Sequence, residues 1–152
     1  MTVNAAEAQL AAFLAKFTPE IEARASAIIE RMRARFPGAV IPVYDNYNAL
    51  AVGFGPTDRV KHVVFSVAVF PRWVSLFVAG GPRLQDPHGL LSGDGGVVRH
   101  IRLAGPETLD DPRVIAIMDQ ALALADPPID NAAAGVLVIK SISAKQRPRR
   151  PA

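Results

Sequence analysis

The sequence predicts an α+β fold of two layers: a mostly antiparallel sheet of about five to six strands with helices packed on one face. Two patterns carry that reading. Residues 40–80 alternate strand-like runs with short breaks at Asn46-Tyr47-Asn48, Gly55-Pro56-Thr57-Asp58 and Phe70-Pro71-Arg72, which makes a meander of four strands. Two amphipathic helical segments precede the meander, and a strand–helix–strand pattern follows it. Consecutive strands joined by short turns pair antiparallel, and the helices are left to gather on one side.

Each element has its own signal. Asn4 and Glu7 have capping-box spacing, with Asn in place of the usual Ser or Thr, and Leu10, Phe13, Leu14 and Phe17 form an apolar stripe. Thr18-Pro19-Glu20 restarts the helix with an N-cap, a proline at the first helical position and an acid in the positive first turn. Ile21, Ala25, Ile28, Ile29, Met32 and Phe36 then recur at intervals of three and four until Pro37-Gly38 stops the run. In the meander β-branched and aromatic residues dominate, and Val63 to Phe70 is apolar at nearly every position, which places it at or near the centre of the sheet. Residues 81–96 are rich in Gly and Pro, and Asp86-Pro87 is suited to cap a single turn through His88, Leu90 and Leu91. A fifth strand is expected over Val97 to Leu103. Asp111-Pro112 starts the last helix, with Val114, Ile117, Met118, Ala121, Leu122 and Ala125 inward and Pro127-Pro128 closing it. Val136 to Ile142 reads as a sixth strand.

At 152 residues the chain is expected to be one domain, over residues 1–143, followed by a basic, proline-broken tail at 144–152. The absence of Cys excludes disulfides, zinc–thiolate centres and thiol catalysis. No apolar run is long enough to span a bilayer, and the first residues lack the basic start of a signal peptide, so a cytoplasmic protein is expected. The pI of about 9.7 belongs to the tail. Five of the 17 Lys and Arg residues lie in the last thirteen positions, which hold no acid, leaving 12 basic against 14 acidic groups elsewhere. The tail is expected to be extended and mobile unless something acidic holds it; it either lies against acids of its own body or makes weak, salt-dependent phosphate contacts. The first of these is the favoured reading, since the tail holds no aromatic residue to stack on bases.

Candidate ligand-binding residues are Tyr44, Asp45, Tyr47, Trp73, Arg99, His100 and Arg102. Tyr44-Asp45-Asn46-Tyr47-Asn48 gathers two phenols, a carboxylate and two amides that could converge on a polar ligand, although turn chemistry alone accounts for them. Arg99-His100-Ile101-Arg102 sends Arg99 to one strand face and His100 with Arg102 to the other. If Val97, Ile101 and Leu103 face the helices, Arg99 is buried with them and needs an acidic or carbonyl partner, while His100 and Arg102 meet either solvent or an anion. Trp73 alternates with Ser75 and Phe77, which gives either edge packing or an aromatic strip for a partner. His62, His88 and His100 have no helical metal-site spacing, Gly93-Asp94-Gly95-Gly96 leads into a strand rather than a helix, and no serine sits in a nucleophile-elbow motif. No catalytic residue, cofactor or metal ligand is assigned.

The segments VYDNYNALAVGFGPTDR, FPRWVSLFVAGG, LLSGDGGVVRHIRL and VIKSISAKQRPRRP together resemble the YdhG-like domain of unknown function, over roughly Ala25 to Pro151. The resemblance implies an α+β fold with an antiparallel sheet and flanking helices, and for most members no established activity. One branch of that family is described as a frataxin-like iron chaperone, which needs a dense set of oxygen ligands. The first two helices here offer only Glu7, Glu20, Glu22 and Glu30 with four Arg residues interspersed in the second, so no ligand transfers. The expected function is a small, non-catalytic binding or interaction module. The alternative is a metal carrier or small-molecule binder using a polar pocket formed by His100, Arg102 and the Tyr44–Asn48 turn. An exposed strand face or edge makes a homodimer the expected assembly.

Overall fold

The computed structural model describes residues 3–151, of residue 3 the backbone alone. Three helices, α1 (Val3–Leu14), α2 (Pro19–Arg35) and α3 (Pro112–Leu124), pack on one side of a six-stranded sheet. Its strands are β1 (Val40–Asp45), β2 (Leu50–Phe54), β3 (Phe65–Val69), β4 (Val74–Ala79), β5 (Val98–Leu103) and β6 (Val136–Ile142), in the spatial order β5-β4-β3-β2-β1-β6. Neighbours from β1 to β5 are antiparallel, and β6 joins β1 in parallel. The expected two-layer α+β architecture is the one observed. No helix among the described residues is long and apolar enough to cross a membrane.

Local chemistry fixes the helix starts. The Thr18 hydroxyl accepts from the Ile21 amide, and the Asp111 carboxylate accepts from the Arg113 amide, each ahead of a proline at the first helical position. Asn4 lies inside the first turn of α1, not before it as its capping spacing suggested. Asp86 caps a single turn: the Gly89 amide donates to its main-chain oxygen, and its two carboxylate oxygens accept from the Leu90 and Leu91 amides, at 2.8 Å each, without a helix following. β5 starts at Val98, one residue later than expected, and β3 takes up only the middle of the Val63–Phe70 run, third in the strand order.

Strand alternation builds the core. Val43, Val52, Phe54, Phe65, Val67, Val69, Leu76 and Val78 face the helices and are fully buried against Phe17, Ala25, Ile28 and Met32. Phe36 stacks on Phe65 with ring centroids 5.4 Å apart. The opposite face carries no helix, and two rows of cross-strand neighbours run over it. One is Tyr44–Ala51–Ala68–Ser75–Arg102 and the other Gly53–Ser66–Phe77–His100. The β1–β6 pairing shifts register between Val43 and Tyr44, so Lys140 is passed over, and its ammonium bonds Asp58 at 3.2 Å.

Candidate functional site

The candidate residues divide into three places. Tyr44 and Arg102 share a row on the open face but lie on the second and last of its strands, four strand spacings or roughly 19 Å apart. They do not converge, and the pocket expected from His100, Arg102 and the Tyr44–Asn48 turn is not formed. Asp45 follows Tyr44 and therefore points to the helix face.

Asp45 is 1% exposed and is the hub of a clasp made by the tail. Its Oδ1 accepts from Arg149 Nη2 and its Oδ2 from Lys16 Nζ, both at 2.9 Å. Arg149 is itself buried; it also donates to the main-chain oxygens of Asn46, at 2.5 Å, and Tyr47, at 3.4 Å, and lies over the Phe17 ring. Gln146 Nε2 donates to the Asp45 main-chain oxygen at 3.1 Å, and the Arg147 amide to that of Tyr47 at 2.9 Å. Arg150 Nε donates to the Lys16 main-chain oxygen at 3.2 Å. Burial pushes the Asp45 carboxyl up, but hydrogen bonds from Lys16, Gln146 and Arg149 more than reverse it, so the group is held below its ordinary value. Tyr47 remains 46% exposed, with the Arg147 guanidinium over its ring. These residues close a structure around the β1–β2 turn and leave the Tyr47 ring and the Asn46 and Asn48 side chains exposed there.

Trp73, His100 and Arg102 are brought together on the open face. Trp73 stacks on Phe70 at 5.0 Å between centroids, and the Arg102 guanidinium lies 4.5 Å from the Trp73 centroid. Phe77 stacks on His100, its cross-strand partner, at 5.0 Å. The Ser92–Gly93 segment runs along the outer side of β5, and Ser92 exchanges two main-chain hydrogen bonds with His100. Beside this cluster the floor of the sheet is made of small side chains, Ala51, Gly53, Ser66, Ala68 and Ser75. The result is a band of four rings and a guanidinium bordering a low floor. It offers flat π surface, one permanent positive charge and the half-buried Ser66 hydroxyl, while Ser75 is buried beneath its neighbours.

Arg99 lies on the helix face, as alternation requires, but the expected acidic or carbonyl partner is not there. Among the described residues its side chain makes no hydrogen bond or ion pair, and its buried Nε is unsatisfied. Lys16 and Gln146 were missed by sequence reasoning; Arg149 was read only as part of a tail favoured to lie against acids of its own body, and it meets Asp45. One signal did exist: Asp45 alternates with Ile41 and Val43, so it had to be an inward carboxylate in need of a cation. Among the described residues no three His, Asp or Glu side chains gather as a metal-holding group. Comparison of the chain with known protein families, with curated proteins and with solved structures finds no match.

Proposed function

We propose that the chain is a non-catalytic binding module that recognises a flat, anionic ligand on the open face of its sheet. The observation that carries this is the Phe70–Trp73–Arg102 stack beside the Phe77–His100 pair. A planar ring can extend either stack, since base- or ring-on-aromatic stacking is worth about 1–3 kcal/mol per ring. A carboxylate or phosphate on that ring would meet the Arg102 guanidinium, which has no carboxylate partner among the described residues. Ser66, half-buried on the row of Phe77 and His100, adds a hydroxyl. Membership of the YdhG-like domain, which the quoted segments suggest, would fit this reading, since for most members that resemblance implies no established activity.

Trp73 is the only tryptophan of the chain, so its fluorescence reports on this surface alone. Titration with nucleoside monophosphates and with aromatic carboxylates such as salicylate is expected to change its emission saturably. Arg102→Ala is expected to weaken the response about tenfold or more. Arg113→Ala, on the opposite layer, is expected to leave it unchanged. Emission that stays constant with every ligand up to about 10 mM would remove the proposal.

A further inference from the structure

A second place has the features of a site. A cavity of about 450 Å³ opens at the end of the sheet where β3 begins and β4 ends, against the C-terminal end of α3. That volume is within the range of small-molecule pockets. Its walls differ in kind. Lys61, from the short 3₁₀ turn Val60–His62, and Arg83, from the turn Gly81–Arg83, supply positive charge. Asp126 lies two residues beyond α3, whose last carbonyls form the negative end of the helix dipole. Val63, Val97 and Leu124 supply apolar surface, and Val97 and Leu124 are 75% and 39% exposed, a cost that a bound apolar group would relieve.

The opposite charges lining this cavity do not pair. No hydrogen bond or ion pair joins Lys61 or Arg83 to Asp126, and none of the three side chains has another partner among the described residues. The backbone holds Arg83 in place: Gly80 and Gly81 take φ of 121° and 52°, and a Cβ on Gly81 would lie 2.5 Å from the Gly96 carbonyl oxygen. His62 also lines the cavity, with a 2.7 Å hydrogen bond between its Nδ1 and the Thr57 hydroxyl.

We propose that this cavity binds a zwitterion with an apolar side chain, of the chemistry of a leucine-like α-amino acid. The carboxylate meets Lys61 and Arg83. The ammonium meets Asp126 and the carbonyl end of α3, and the side chain lies on Val63, Val97 and Leu124. A ligand of one charge sign would satisfy one wall and be repelled by the other, whereas a zwitterion complements both.

The test is calorimetric titration of the full chain with L-leucine, N-acetyl-L-leucine, L-leucinamide and glycine. These remove the ammonium, the carboxylate and the side chain in turn. Leucine is expected to bind saturably, and each analogue at least about tenfold more weakly. Lys61→Met with Arg83→Met, and separately Asp126→Asn, are expected to weaken leucine by a similar factor with an unchanged melting temperature, because all three side chains are exposed and unpartnered. Absence of saturation by leucine up to about 50 mM overturns the proposal. So does N-acetyl-leucine or leucinamide binding as tightly as leucine, or folded variants that bind leucine as the parent does. If a variant fails to fold, the analogue series on the parent chain decides alone. Trp73 emission distinguishes the two sites, since leucine binding here leaves the open-face stack untouched.

Discussion

Replacing Arg149 by Met would remove the guanidinium while keeping most of the aliphatic stem. The pair it breaks is deeply placed, with the Arg149 side chain 4% and the Asp45 side chain 1% exposed. Loss of one partner of such a pair costs about 3–5 kcal/mol, because a buried charge is left uncompensated. Asp45 would keep Lys16 at 2.9 Å, so the loss is expected at the lower end, about 3 kcal/mol. In a chain of this length each kcal/mol moves the melting temperature by about 2–4 °C, which gives a fall of roughly 6–12 °C.

Urea unfolding of the parent, Arg149→Met, Asp45→Asn and the double variant measures this directly. Each single change is expected to cost about 3 kcal/mol, and the double change at least 2 kcal/mol less than their sum, since both remove one interaction. Arg150→Ala is the control: its one side-chain hydrogen bond among the described residues is to an exposed main-chain oxygen, and a change below about 1 kcal/mol is expected. An Arg149→Met loss under about 1 kcal/mol, or singles that simply add, would show that the tail rests on the body without holding it.

Three shorter expectations follow. The Asp45 pKa is lowered from 3.8, so the stability it contributes is present above that value and disappears as pH falls through the lower, folded value. The stability gap between parent and Arg149→Met is therefore expected to be constant from about pH 5 to 8 and to shrink by pH 3, read from urea midpoints; a gap that widens in acid contradicts the sign. Gly38→Ala would place a Cβ 1.8 Å from the Asp130 carbonyl oxygen, so the backbone of the loop ahead of β6 must move. About 3 kcal/mol of destabilisation is expected by the same unfolding assay, and a neutral result would refute the close approach. Lys140→Ala removes a largely exposed pair with Asp58 and is expected to change stability by less than about 1 kcal/mol in thermal melts.

The elements that were legible in the sequence are those whose signals are local. Thr18-Pro19 and Asp111-Pro112 mark the starts of α2 and α3, and the three- and four-residue spacing from Ile21 to Phe36 gives the buried face of α2. The β1-to-β4 meander order was legible from its short turns, but the place of β6 was not. β6 crosses from the end of α3 to the far edge and adds in parallel to β1, a pairing that depends on the path of α3 and on the Gly38–Asp130 approach rather than on any short pattern. The Arg99 environment was half legible: alternation gave its face, while the missing partner depends on which side chains arrive from elsewhere.

The candidate residues show how one sheet separates sequence neighbours and joins distant ones. Tyr44 and Asp45 are adjacent, yet the pleat sends the phenol to the open face and the carboxylate into the helix layer. A buried carboxylate must find a cation, and its two cations come from residues 29 positions before it and 104 after it. Sequence reading could therefore favour a tail lying against acids of its own body, but not show that Asp45 is the acid and Arg149 the residue that meets it. The open face behaves differently. Trp73 and Phe70 meet across a tight turn, and Phe77 meets His100 by register between neighbouring strands, so strand alternation placed this cluster once the pairing of β4 with β5 was known. With Asp45 satisfied within the fold, the cluster around Trp73 is the candidate surface left facing outward with unspent binding chemistry, and the functional proposal rests on it for that reason.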